Sequence, residues 1–285
     1  MNHSSLLQPY AGTRVALLTQ HGKEEAIAPP LSRVLSAELD VVRDYDTDAL
    51  GTFTREVPRF GTQLEAARKK ATLACERSGL TVGLGSEGSF GPGPYGFVTF
   101  NLELLVWVDT TRRIEVVGRA YEPGLHHHAL VTTRDELLQA TKHARFPDHG
   151  LVLRPDGEHD PRVRKGLRSW TELEEAFAEA LEVSATGRVF VENDLRAHQH
   201  PMRMAVIARA MDDLVSRLSC VCSACGAPGF GRMAAVRGLP CGDCGQPTDL
   251  ALADDFGCVA CSMRERRPRQ DVTVAEPARC NFCNP

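Results

Sequence analysis

The sequence predicts an α/β protein, a mixed sheet with flanking helices, followed by a small zinc-ribbon-like domain at the C-terminal end. Three observations carry this expectation. Up to about residue 218, short apolar runs alternate with amphipathic helical stretches, the pattern of strands and helices packed in layers. Two of the runs, "ELLVWVD" and "RIEVVGRAY", flank "TTRR" and read as an antiparallel hairpin, so the sheet is not purely parallel. Beyond residue 218, eight of the ten cysteines fall into four Cys-x-x-Cys pairs amid Gly, Pro and short loops. The domains are therefore expected at 1–218 and 219–285.

The elements follow in order. Val15–Thr19 is an apolar strand that runs into the polar turn "QHGKE". Glu24–Ser36 has helical character, although Pro29 and Pro30 should kink it or delay its start. "LDVVRDYDT" (39–47) is a strand ending in acids. "GTQLEAARKKATLACERSG" (61–79) is the clearest helix: Thr62 caps it, Glu65 completes a capping box and Gly79 stops it. "LTVGLGS" (80–86) is a strand, and the glycine-rich "EGSFGPGPYGF" follows it. After the hairpin, "TTRDELLQATKHARF" is a helix capped by Thr133, "HGLVLRP" a strand, "SWTELEEAFAEALE" a helix and "RVFVEND" a last strand. "PMRMAVIARAMDDLVSRLS" closes this part as a helix with proline at its first position. Met202, Met204 and Met211 on it read as core.

Composition is that of an ordinary globular protein, with 42% apolar and 25% charged residues. A net charge of −4 gives no general attraction to nucleic acid or to anionic membrane. No signal-peptide pattern opens the sequence and no run approaches the roughly 18 apolar residues of a membrane span, so a cytoplasmic location is expected.

The four cysteine pairs are Cys222/Cys225, Cys241/Cys244, Cys258/Cys261 and Cys280/Cys283. This is metal-ligand spacing, and two such turns close one tetrahedral Cys₄ site. Two structural Zn²⁺ ions are expected. Pairing first with second and third with fourth is the simplest arrangement; a cross-braced one, first with third and second with fourth, is the alternative. Closed Cys₄ sites leave no open coordination position for catalysis. From residue 220 on, seven arginines and no lysine stand against seven acids, and each Zn(Cys)₄ centre adds a charge of −2. That is a poor footprint for phosphate backbones, and a protein partner suits the tail better than nucleic acid. The basic run "RERRPR" (264–269) reads as a solvated face. Cys75 reads as a small buried residue.

Polar chemistry recurs where strands end. The first such turn offers Thr19, His21 and Lys23; ligands in open α/β sheets bind beyond the carboxyl ends of strands, and a turn opening a helix presents N–H groups to anions. "DYDTDALGTFTRE" brings Asp46, Asp48 and Arg55, and the next helix carries Glu65, Lys69 and Lys70, at least one lysine on the face of Glu65. "GSEGSF" sets Glu87 among Ser86 and Ser89. "ENDLRAHQHPMRM" carries Arg196 and Arg203. Acids at strand ends would hold Mg²⁺ and orient water, while cations take phosphate oxygens. "HHH" at 126–128 reads as loop, because three consecutive side chains cannot all face one ion in a strand.

The motifs "TQHGKE", "DTDALGTFTRE", "GTQLEAARKKA", "SEGSFGPGP", "GLPCGDCGQPT" and "CNFCNP" together resemble a bacterial family known as a conserved domain of unknown function. That likeness spans nearly the whole chain and implies an α/β domain with a cysteine-rich tail. The first hundred residues also resemble the nucleoside triphosphate pyrophosphatases of the inosine-triphosphatase fold. Thr19, His21 and Lys23 stand near that family's Thr-x-Asn turn and first-helix lysine, with the asparagine replaced and the spacing one residue shorter. Thr62, Glu65, Ala66, Ala67, Lys70 and Ala71 keep the register of its next helix, again without the asparagine. The resemblance implies that Lys23 and Lys70 hold phosphates while Glu87 binds Mg²⁺ or activates water.

The expected function is Mg²⁺-dependent hydrolysis of a phosphorylated small molecule, most concretely a nucleoside triphosphate. Glu87 with Asp46 or Asp48 would be catalytic. Thr19, His21, Lys23, Arg55, Lys70, Ser86, Ser89, Arg196 and Arg203 would bind phosphate. The alternatives are a non-catalytic nucleotide sensor or protein-interaction module and a zinc-ribbon nucleic-acid binder.

Overall fold

The computed structural model describes residues 9–51, 53, 57, 58, 60–93 and 96–285, with the backbone alone at Asp48. These residues divide into two compact units, one holding the chain up to 111 with 117–215, the other 112–116 with 216–285.

In the first unit, β1 (Arg14–Leu18), β2 (Glu38–Val42) and β3 (Val82–Pro92) run parallel, and β4 (Thr99–Asp109) and β5 (Ile114–Pro123), the latter belonging to this unit from residue 117 on, complete a five-stranded sheet in the order β2-β1-β3-β4-β5. β3 and β4 are antiparallel in unbroken register from Val82↔Asp109 to Pro92↔Thr99, so the sheet is mixed. Helices α1 (Glu24–Leu35) and α2 (Gln63–Ser78) make the crossovers. α1 carries Pro29 and Pro30 in its interior without ending there. Each proline removes one helix hydrogen bond, and burial of Ala26, Ile27, Pro30, Leu31 and Leu35 on one face offsets that loss. α2 has the expected capping box from Thr62 and Glu65 and ends at Gly79.

The strand expected to end at Ser86 runs on through the first part of the glycine-rich stretch to Pro92, as one arm of a long hairpin. Cross-strand pairing with the apolar run of β4 overrides the weak strand propensity of Gly88 and Gly91.

A second, antiparallel sheet in this unit has the order β6-β9-β7-β8. Its strands are β6 (His128–Val131), β7 (Leu151–Pro155), β8 (Arg164–Leu167) and β9 (Val189–Asn193). Helices α3 (Arg134–His143) and α4 (Trp170–Val183) share its core with Val131, Leu151, Leu153, Leu173, Phe177 and Val191. Thr133 and Ser169 cap these helices through full capping boxes. Sequence patterning missed β6 and β8, which are four residues each and too short to show a period. α5 (Pro201–Ser219) follows β9.

The second unit is built on an antiparallel meander of β10 (Gly231–Arg237), β11 (Ala251–Gly257) and β12 (Arg264–Pro268).

Candidate functional site

β1 ends at Leu18 and pairs with β3 through Ala16↔Gly83 and Leu17↔Leu84. Among the described residues no strand continues along that side, so β3 beyond Gly85 has no paired strand just past the carboxyl end of β1. Lys23, at the start of α1, reaches that edge. Its ammonium donates to the backbone carbonyl and the hydroxyl of Ser86, both at 3.1 Å, and the side chain is buried.

Strand alternation sends neighbouring residues of β3 to opposite faces. Gly83 and Gly85 face α2 so closely that a Cβ would lie 2.1 Å from the Ala71 carbonyl oxygen and 1.9 Å from that of Ala67. Glu87 is next on this face, and Lys70 of α2 meets its carboxylate at 2.6 Å, both side chains buried. Gln63 fixes the neighbourhood by donating to the carbonyls of Glu87 and Leu102 and accepting from the Ser89 hydroxyl.

Gly88 faces the other way, where a Cβ would lie 2.2 Å from Glu103 Oε1 and 2.6 Å from Arg203 Nη2. Glu103 of β4 and Arg203 of α5 form a fully buried ion pair at 2.6 Å. The guanidinium also donates to the Leu195 carbonyl and stands 4.2 Å from the centre of the Phe53 ring. His200 caps α5: its Nδ1 accepts from the Arg203 N–H, which leaves Nε2 to donate to the Leu125 carbonyl. Burial pushes its pKa down to about 4, so the ring stays neutral and the cap holds Arg203 in place.

Two ion pairs, one on each face, thus flank an edge that carries a third cation. Burial, and then the charges of Arg203 and Lys70, lower the Lys23 pKa to about 7 against the opposing pull of Glu103 and Glu87. The buried set holds three basic groups and two carboxylates, and Lys23 makes no ion pair among the described residues. Such a site gains from an anion.

Lys23, Lys70, Ser86, Glu87 and Arg203 are therefore brought together. Thr19 is buried behind the turn and accepts from the His21 N–H. The His21 ring stacks on His198 at 5.3 Å. Asp46 is exposed ahead of a single helical turn at Thr47–Leu50. Arg55 and the side chain of Asp48 lie outside the described residues. Arg196 is held by the fully buried Asp194, which also accepts from the Gly166 N–H and ties the end of β9 to β8. Of the three consecutive histidines, His126 and His128 lie together with rings 5.5 Å apart, His126 also 3.7 Å from Glu192, while the His127 ring stands 5.1 Å from that of His143.

Glu103, Phe53 and Gln63 escaped the sequence reading. Glu103 carried a usable signal, since Asn101 and Glu103 are polar residues on the inward alternation of an otherwise apolar strand. Arg203 lies 100 positions away from its partner, and no local pattern announces that contact.

The cysteines form two groups of four, Cys222, Cys225, Cys258 and Cys261 in one and Cys241, Cys244, Cys280 and Cys283 in the other. This is the cross-braced arrangement and not the simpler sequential one. The antiparallel meander is the reason. β10 carries the chain from the first pair to the second, β11 returns it to the third beside the first, and β12 leads away to the fourth beside the second. Within each group the sulfurs lie within 4.8 Å of one another. The separations are 3.8 Å for Cys222–Cys261 and Cys241–Cys283, and 3.6 Å for Cys225–Cys258 and Cys244–Cys280. A tetrahedron with Zn–S bonds of ~2.3 Å has edges of about 3.8 Å. Each group can hold a metal ion, and the geometry is compatible with Zn²⁺. Gly226 and Gly245, at φ of 72° and 71°, supply the left-handed residue that closes the first two knuckles.

Five arginines of this unit are paired with acids. Arg232 and Arg269 pair with Asp254, Arg266 with Asp255, Arg267 with Glu265 and Arg237 with Asp249. Among the described residues no helix is long and apolar enough to cross a membrane.

A family model described as "Domain of unknown function (DUF6671)" matches residues 70–285. A comparison with curated proteins gave no match. The matched span contains Lys70, Glu87, Glu103, Arg203 and all eight paired cysteines.

Proposed function

We propose that this chain, which belongs to the DUF6671 family, hydrolyses a phosphorylated small molecule, most concretely a nucleoside triphosphate, at the edge of β3 where Lys23 meets Ser86. Its second unit is a tail stabilised by two structural Zn²⁺ ions. The observation that carries the reading is Lys23, a buried ammonium whose partners are a hydroxyl and a carbonyl, between two ion pairs that engage both nearby acids. A phosphate oxygen on Lys23 supplies the missing negative charge and restores the lysine's affinity for its proton. Lys70 and Arg203 flank that position on the two faces and can each share their charge between a carboxylate and the phosphates. Glu87, held at 2.6 Å by Lys70, is the carboxylate that takes a proton from the attacking water. The register of Thr62, Glu65 and Lys70 on α2, similar to that of the inosine-triphosphatase fold, supports the same assignment.

Among the described residues, no three acids or histidines gather as a ligand set outside the cysteine groups. Mg²⁺ commonly relies on one or two carboxylates plus the substrate's own oxygens, and Glu87 fits the first of these. When bound, Mg²⁺ would neutralise phosphate oxygens and acidify water.

A nucleotide sensor that does not turn over is the second reading, favoured by the engagement of Glu87 with Lys70. A nucleic-acid role for the tail is disfavoured because five of its seven arginines are paired with acids. The experiment is release of phosphate and pyrophosphate with Mg²⁺ across standard and damaged nucleoside triphosphates, wild type beside Glu87→Gln. Turnover that the substitution lowers by roughly 10²-fold or more supports a catalytic Glu87. Absence of release with binding retained leaves the sensor, and absence of both removes the phosphate reading.

A further inference from the structure

The inner face of the β3–β4 hairpin continues past Glu103 to a side chain that the phosphate site does not use. Asn101 is 1% exposed, and neither its amide nitrogen nor its amide oxygen has a hydrogen-bond partner among the described residues. An unmet buried amide is costly and rare in folded proteins, and a fold that keeps one needs a reason. The cross-strand partner of Asn101 is Phe90. The Phe90 ring meets His126 and His200 at centroid distances of 6.0 and 5.6 Å. Phe90, Pro92, Thr99 and His126 line a cavity of about 250 Å³ at this end of the hairpin. Thr99 is the residue next to Asn101 on the same face of β4. No side chain stands on Gly124, where a Cβ would lie 3.0 Å from the Phe90 ring and 3.1 Å from Asn101 Cβ.

The register places these groups relative to Lys23. Ser86↔Leu105, Gly88↔Glu103 and Phe90↔Asn101 are successive layers on one face, each about 6.8 Å from the next at two residues per step. Asn101 therefore stands about 14 Å along the strand from the Ser86 layer where Lys23 is bound. That is a separation a ribose and its first phosphates can bridge.

We infer that Asn101 and the Phe90 ring form a base-reading subsite for the same ligand, selecting a planar heterocycle that presents a hydrogen-bond donor beside an acceptor, as the nucleobases do. The inference rests on the phosphate reading of the Lys23 edge. A carboxamide matches such an edge with two hydrogen bonds, and the aromatic ring supplies apolar contact. Sites built to hydrogen-bond a substrate group discriminate strongly because their own polar atoms are otherwise left unpaired.

The test is calorimetric titration of the full-length, zinc-loaded protein with inorganic tripolyphosphate and with ATP, GTP, ITP and UTP, for wild type and Asn101→Leu. Wild type is expected to bind at least one of the nucleoside triphosphates about 10-fold or more tighter than tripolyphosphate. Asn101→Leu should erase that margin, leave tripolyphosphate affinity unchanged, and hold or raise the melting temperature, since leucine replaces an unpartnered amide. Asn101→Asp, which keeps the shape but only accepts, should shift the preference among purines toward guanine with its adjacent donors. If tripolyphosphate binds as tightly as every nucleotide, the subsite is refuted and the phosphate reading stands. If nothing binds, both fall. A melting temperature lowered by Asn101→Leu, with all affinities reduced alike, would make Asn101 structural and overturn the inference.

Discussion

Replacing Lys23 by methionine removes the ammonium and keeps most of its stem, and the consequence for stability can be worked from the site. The Lys23 pKa is about 7 in the fold against 10.5 for an ordinary lysine, because burial and the charges of Arg203 and Lys70 disfavour its protonated form. Between these values the unfolded chain holds a proton that the folded chain lacks. Linkage then makes the Lys23 contribution rise with pH from about 7 to about 10.5, and leaves it flat below that window. Each pH unit inside the window is worth about 1.4 kcal/mol, so the shift represents on the order of 5 kcal/mol in all. Lys23→Met has no such proton to lose. Its stability advantage over wild type should therefore be largest near pH 7 and shrink by about 2–3 kcal/mol between pH 7 and 9. Urea unfolding followed by tryptophan emission measures this in the first unit, because Trp107 and Trp170 are the chain's two tryptophans and both lie in it. Saturating inorganic phosphate should flatten the wild-type slope by keeping Lys23 protonated, and should not affect the variant. A stability difference that stays constant from pH 7 to 9 would refute the argument that Lys23 is a destabilised, anion-seeking cation.

Two other outcomes follow from the geometry. Arg203→Met strands the fully buried Glu103 and is expected to destabilise the first unit by about 3–5 kcal/mol in the same unfolding assay. Adding Glu103→Leu should recover most of that loss. Changing Cys222, Cys225, Cys258 and Cys261 together to serine should leave one bound zinc per chain by elemental analysis. Changing Cys222, Cys225, Cys241 and Cys244 should break both sites, and the reverse pattern would establish sequential pairing.

The candidate site was half legible in the sequence. Lys23 and Glu87 could be found because each interrupts a local pattern, a polar turn after an apolar strand and an acid among glycines. Lys70 was visible through its spacing from Glu65 on a helix whose cap and stop are both in the sequence. Glu103 was legible only together with Asn101, as two polar residues on the inward alternation of β4, and that spacing does not say which charge they meet. The extension of β3 beyond Ser86 is not legible because glycine propensity is local and weak, whereas eleven residues of pairing with β4 are neither. Arg196 and Arg203 looked equivalent, yet one is taken by the buried Asp194 next to it and the other reaches across to Glu103.

What the sequence determined by itself is chemistry written between near neighbours: the cysteine pairs, the capping boxes at Thr62, Thr133 and Ser169, and the alternation of helix and strand. These depend on residues two to four positions apart, so no remote segment is needed to specify them. The tertiary structure decided which cysteine pairs share a metal and which charges meet at the edge of β3. The first follows from the direction of three antiparallel strands. The second joins residues 17, 63 and 100 positions apart. Contacts of that span depend on where strands end and which faces they turn inward, and both are settled only when the sheet assembles.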